Sequence, residues 1–114
     1  MRNLSFTKAD RLLKRSEFLR LSKIGKRLHN KHFLAVFHPS QENRTRLGIT
    51  VTKKIGNAVT RNRIKRLSRE CFRLNRHSIS GSWDINIIAK KGAANLAGDQ
   101  VFSSLRNLFE RIPR

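Results

Sequence analysis

The sequence has one cysteine, two prolines, no tyrosine, and only seven acids against 26 lysines and arginines. Each scarcity excludes something. Cys71 stands alone, so no internal disulfide can form, and on an apolar stripe it behaves as a small hydrophobe. The acids Asp10, Glu17, Glu42, Glu70, Asp84, Asp99 and Glu110 are spread over the whole chain. A two-metal phosphodiesterase needs its carboxylates gathered around the ions, so this spread argues against a metal site. No further histidine or cysteine stands at zinc spacing from His29, His32, His38 or His77. A catalytic histidine pair stays open beside plain strand or loop positions, because acid–base work needs a defined pair within reach of one atom. No apolar run approaches the roughly 20 residues that span a bilayer. The N-terminus shows no apolar segment followed by a small-residue cleavage site, so a cytoplasmic location is expected.

What is abundant is positive charge. The formal net charge is +19 and the pI is near 11.9. Such a field favours nucleic acid, with an anionic membrane surface as runner-up. Residues 1–114 are expected to form a single RNA-binding domain, since the length supports one modest core and not two. There are no internal repeats, linkers or low-complexity tracts.

The charge is concentrated in the stretch from Lys53 to Arg73. A β-type run ends in Lys53-Lys54, turns at Gly56-Asn57 and opens into a helix-period segment. Ile64, Leu67, Cys71 and Leu74 recur as one apolar face. Asn62, Lys65, Arg66, Arg69, Arg73 and Arg76 fall together on another. A solvated helix face mixes signs, because like charges at i, i+4 repel. Here Glu70 is the only acid between Arg44 and Arg76, so the ladder reads as a surface for a polyanion. The Gly56-Asn57 loop can hold a phosphate on exposed N–H groups but has neither a Walker nor a dinucleotide pattern.

Taken in order, residues 1–15 read as a basic arm, partly disordered at its tip. Ser16 suits the N-cap of a short helix over 17–24, with Glu17 at its positive end and Gly25 as a left-handed stop. A weak strand at Arg27-Leu28-His29 and a clear one from His32 to His38 follow. Pro39 to Asn43 is turn chemistry. Leu47, Ile49 and Val51 alternate with Gly48, Thr50 and Thr52, a strand buried on one side with a polar outer face. After the central helix, Ser78 to Ser82 is a break around Gly81, and Asp84 to Ala89 is a strand preceded by Trp83. Asp99 caps a last helix whose Val101, Leu105, Leu108 and Ile112 face the core, and Pro113 ends it. Helices packed on a sheet are the natural layered solution, an α+β fold.

The run from Lys53 to Arg73, with Arg61-Asn62-Arg63 at its centre, resembles the signature of the protein subunit of bacterial ribonuclease P. Arg15-Ser16-Glu17-Phe18, Arg46-Leu47-Gly48-Ile49 and Asp84-Ile85-Asn86-Ile87-Ile88-Ala89 extend the resemblance over nearly the whole chain. It implies a two-layer α/β sandwich, a four-stranded mixed sheet with three helices and a left-handed crossover. It also implies an RNA-binding subunit that assists a catalytic RNA in removing the 5′ leader from precursor tRNA. Catalysis then belongs to the RNA, with magnesium, and no catalytic residue or metal ligand is expected in the protein. Lys53, Lys54, Asn57, Arg61, Asn62, Arg63, Lys65, Arg66, Arg69 and Arg73 are expected to meet the RNA subunit. Arginine suits this because its planar fork grips two phosphate oxygens. Phe18, Val36, Thr50 and Thr52 are expected to line a cleft for the single-stranded leader. Relatives often carry further aromatics where this chain has Ser22 and Val36, so fewer stacking contacts are expected here. For Phe18, core packing is the competing explanation. The rival function is a structural RNA binder of ribosomal type with no substrate contact; a self-sufficient histidine nuclease is the third.

Overall fold

A computed structural model describes residues 6–113. The chain runs α1 (Arg15–Ile24), β1 (Lys26–His29), β2 (Phe33–Pro39), β3 (Arg46–Thr50), α2 (Ala58–Asn75), β4 (Trp83–Ala89) and α3 (Gly98–Arg111). The four strands form one sheet in the order β1-β2-β4-β3. Strands β3 and β4 are parallel, and the other pairs antiparallel. A parallel pair needs a crossover rather than a hairpin, and α2 supplies it. The expected α+β architecture of three helices and a four-stranded mixed sheet is the one observed. Among the described residues, no helix is long and apolar enough to cross a membrane.

Alternation along the strands sorts their side chains onto two faces. On one, Phe33, Ala35, Phe37, Leu47, Ile85 and Ile87 meet side chains of α2 and α3 in the main core. On the other, Leu34, Val36 and Ile88 meet Leu12, Phe18 and Leu21 in a smaller cluster under α1. Val36 is only 2% exposed. It therefore supports α1 from below and is not on the cleft surface where the sequence reading puts it.

The buried stripe of α2 is Ile64, Ser68, Cys71 and Phe72. This corrects the expected stripe: Leu67 is half-buried and Leu74 is 38% exposed. Phe72 draws the helix round because its ring packs edge-on against both Phe6 and Phe109, and large aromatic burial outweighs that of a leucine. Ser68 tolerates full burial because its hydroxyl donates to Ile64 O at 2.7 Å. In α3, Val101, Leu105, Leu108 and Ile112 are buried as the repeat predicts. Its cap differs: Ala97 is the N-cap, and the Gln100 side chain accepts from the Ala97 N–H at 2.8 Å. Asp99 sits in the first turn, where the helix dipole still favours it.

Helix α1 also starts earlier than expected. Lys14, not Ser16, is the N-cap, and Glu17 Oε1 accepts from the N–H groups of Leu13 (3.2 Å) and Lys14 (3.1 Å). Gly25 ends the helix at φ −72°, an extended rather than left-handed conformation. Its need for glycine is steric, since a Cβ there would lie 2.6 Å from both Leu21 O and Val36 Cγ1. The glycine that does take a left-handed conformation is Gly81, at φ 83°.

The basic arm is not free. Arg11 bridges to Leu47, and the Leu12 N–H donates to Leu47 O at 3.0 Å, so the segment covers the outer edge of β3. Asp10, 4% exposed, accepts from the N–H and hydroxyl of Thr7 and pairs with Arg76 (3.1 Å) and Arg44 (3.4 Å). Alternation did not reveal this anchor, because it is a polar one. The expected disordered tip, residues 1–5, lies outside the described residues.

Candidate nucleic-acid interface

The cationic stretch begins where β3 stops. Thr52, Lys53 and Lys54 are exposed in a turn closed by the Ile55 N–H on Thr52 O at 3.0 Å. Thr52 thus lies beyond the strand, which ends at Thr50 rather than Val51. Asn57 Oδ1 accepts from the Thr60 N–H at 2.9 Å and caps α2. Its oxygen is thereby committed to the helix, although the residue is exposed.

Along α2, Asn62, Lys65, Arg66, Arg69 and Arg73 take the side away from Ile64 and Ser68, as 3.6 residues per turn requires. Asn62 and Arg66 are exposed; Lys65, Arg69 and Arg73 are half-buried. Arg73 forms a two-pronged pair with Glu70, whose carboxyl is held below its usual range chiefly by that bond. Arg76 belongs to another device, pairing with Asp10 and lying over the Phe72 ring at 5.1 Å.

The Arg61-Asn62-Arg63 triplet does not act as one patch. Arg63 Nη2 donates to Leu96 O at 2.9 Å, on the flank toward the connection into α3. Arg61 Nε is buried and has no hydrogen-bond partner among the described residues. Asn62 is the member of the three that is exposed.

Beside the ladder lies a groove of about 210 Å³, whose walls include Phe18 of α1, Gly48 and Ile49 of β3, and Lys65 and Arg69 of α2. The Phe18 ring rests directly on Gly48: a Cβ at that position would come within 2.4 Å of Phe18 Cε1. Only glycine admits the ring so close to the sheet. Thr50, on the same face, gives its hydroxyl proton to Asn86 Oδ1 at 3.1 Å. Arg11 of the N-terminal segment also lines it. Burial, and then the neighbouring Arg11 charge, depress the Arg69 pKa, an electrostatic strain that an anion in the groove would relieve.

Near the groove lies a part-buried ion network. Arg46 is two-pronged on Asp84 (Nε–Oδ1 2.9 Å, Nη2–Oδ2 3.0 Å) and reaches Glu17 Oε2 at 2.6 Å. The Asp84 bond dominates in pushing the Arg46 pKa upward. Burial alone would raise the Glu17 carboxyl, but the Lys14 N–H and Arg46 outweigh it and the pKa falls. One guanidinium thus ties β3, β4 and α1 together.

Among the described residues there is no group of three or more His, Cys, Asp or Glu that could hold a metal ion. His29 Nδ1 lies 3.4 Å from Lys90 Nζ and His32 Nδ1 lies 3.3 Å from Ser104 Oγ, so the two histidines have separate partners. Burial pushes the Cys71 thiol up to about 11, leaving it protonated at neutral pH.

Three features escaped the sequence reading: Gly48 as the seat of Phe18, Arg11 as a wall of the groove, and the sharing of Lys65 and Arg69 between ladder and groove. Gly48 was legible, since it occupies the same outward period-2 stripe as Thr50. The other two depend on how the arm folds back.

Comparison with known proteins is consistent across sequence and structure. The ribonuclease P family profile matches residues 6–113. A ribonuclease P protein component from Desulfatibacillum aliphaticivorans is 52% identical over 98% of this chain and 95% of its own length. The structure of the Staphylococcus aureus ribonuclease P protein superposes with a TM-score of 0.84 at 36% identity, covering 90% of this chain and 94% of that one. The Thermotoga maritima ribonuclease P protein gives 0.84 at 37% identity, covering 91% and 98%.

Proposed function

The chain belongs to the ribonuclease P protein family, and from that premise we propose that its α2 ladder docks on the RNA subunit while the adjoining groove holds the 5′ leader of precursor tRNA. Family members are the protein component of ribonuclease P, an endoribonuclease of tRNA processing that works with an RNA subunit. The ribosomal-type alternative is not favoured, since relatives matched along the whole chain carry the ribonuclease P name.

The observation that carries the proposal is the groove. An aromatic wall, a glycine floor and two cations of the ladder helix converge on one cavity. A base stacked on an aromatic ring gains about 1–3 kcal/mol without sequence preference, and the cations hold the backbone. Phe18 is half-buried, so it serves both the small cluster under α1 and the groove. Val36 has no part in this contact. Of the two threonines, Thr50 lies on the groove side of the sheet and Thr52 on the exposed turn beyond it.

The division of labour follows from position. Asn62, Arg66 and Arg73, with Lys53 and Lys54 of the preceding turn, face the RNA subunit; Lys65 and Arg69 touch both RNAs. Arg61 and Arg63 shape and brace the ladder. The protein supplies charge and shape, and the RNA supplies the hydrolytic chemistry. We expect the holoenzyme's magnesium to be held with the RNA. A cytoplasmic site of action goes with a tRNA substrate.

The test is crosslinking of precursor tRNA bearing a photoreactive leader nucleotide to the assembled holoenzyme. Attachment at Phe18, Thr50, Lys65 or Arg69 is expected. Attachment confined to Asn62 and Arg66 would discard the groove.

A further inference from the structure

The groove does not stop at Arg11. That residue and Leu13 are shared with a second, larger cavity of about 750 Å³ between the N-terminal segment, the start of α1 and the loop before β3. Lys8, Arg11, Lys14 and Arg44 stand on its rim, all of them exposed. Two acids face it. Glu17 is neutralised by Arg46 and by the Leu13 and Lys14 N–H groups, and Glu42 is exposed with no ion pair to any described residue. Asp10, which pairs with Arg44, is buried beneath. The basin therefore keeps a net positive charge, carried by Lys8, Arg11 and Lys14. At its seam with the groove, Leu13 leaves 53% of its surface exposed, an apolar side chain that the main core does not use.

From this continuity we infer that the basin is a second leader subsite, taking the nucleotides that extend beyond the Phe18 groove. The inference rests on the groove reading above. A single strand leaving the groove past Arg11 meets cations spaced along a concave wall and an aliphatic contact for an unstacked base, the combination that suits single-stranded RNA. A duplex segment of the catalytic RNA offers phosphates but no free base for Leu13, so the leader is the better occupant. The subsite reads charge and strandedness, not sequence.

The experiment uses the holoenzyme reconstituted from full chain and RNA subunit. Its affinity is measured for precursor tRNAs whose leader grows one nucleotide at a time, from none upward. Wild-type affinity should rise in two stages, the groove filling first. Lys8→Glu with Lys14→Glu should abolish the second stage, weakening long-leader binding about three- to tenfold while short-leader and leaderless binding stay unchanged. Lys8→Gln with Lys14→Gln, which adds no acid, should give a smaller loss at the same lengths, and Leu13→Ser should act there too. Equal loss at every length would assign the basin to the catalytic RNA or the tRNA body and overturn the inference. No loss at any length would overturn it equally. If wild-type binding itself ignores leader length, the groove reading fails, and the basin with it.

Discussion

Gly48 controls the groove through an absent atom. A Cβ there meets the Phe18 ring at 2.4 Å, so Gly48→Ala should destabilise the protein by about 1–3 kcal/mol, the usual range for overpacking. Adding Phe18→Leu should recover part of that loss in thermal unfolding, because it removes the clashing ring. Gly48→Ala that is neutral by itself would mean the ring is not seated. On the helix side, Ile64→Ala should cost about 2–5 kcal/mol, whereas Leu74→Ala should stay within about 0.5 kcal/mol. Asp10 gives a pH signature. Burial works to raise its pKa, but the Thr7 bonds and Arg76 prevail and lower it. A depressed carboxylate contributes stability that is fully present above its unfolded pKa and is lost as pH falls through the folded one. Asp10→Asn should therefore be less stable than wild type at neutral pH and lose less stability on acidification, so that the two converge in acid, and urea midpoints measured across pH will show it.

Among the elements, most of the fold was legible. The period-2 pattern of β3, the apolar run of β4, the glycine and asparagine before α2, and the +4, +7 and +11 repeat of α3 needed only local rules. What was not legible came from long-range choices. The α2 stripe shifted to Ser68 and Phe72 because Phe6 and Phe109 offer Phe72 two edge-on partners. Val36 went under α1 because Gly25 lets that helix end against β2. The N-terminal arm docked because Asp10, 66 residues from Arg76 in sequence, pairs with it. In the site, the ladder was legible as charge at helical spacing, but its partition was not: Arg63 turning to Leu96 and Lys65 turning to the groove depend on the neighbouring elements. At this scale, Asn57→Ala should remove the α2 cap and cost about 1 kcal/mol. It should weaken RNA binding only as far as the first turn frays, as amide exchange there will report.

For the whole molecule, the +19 charge must be answered by RNA. Binding to the RNA subunit should fall steeply with salt. About six to eight phosphate contacts imply a slope of log affinity on log salt of roughly 0.7 to 0.9 per contact. Binding indifferent to moderate salt would remove the ladder from the account. The chain by itself should cut no RNA, and adding the RNA subunit with magnesium should restore cleavage. Sustained cleavage by RNA-free protein, lost on His29→Ala or His32→Ala, would reinstate the nuclease reading.

The central claim is that one face serves two RNAs through separable residues, and a paired affinity measurement tests it most directly. Arg66→Ala and Phe18→Ala are each assayed for affinity to the RNA subunit, and then, as saturated holoenzyme, for preference of leader-bearing over leaderless tRNA. Arg66→Ala should weaken the first and leave the second unchanged. Phe18→Ala should do the reverse, lowering leader preference by roughly the five- to hundredfold worth of one stacked base. If the two variants lose both properties in parallel, ladder and groove are one site and the account is wrong.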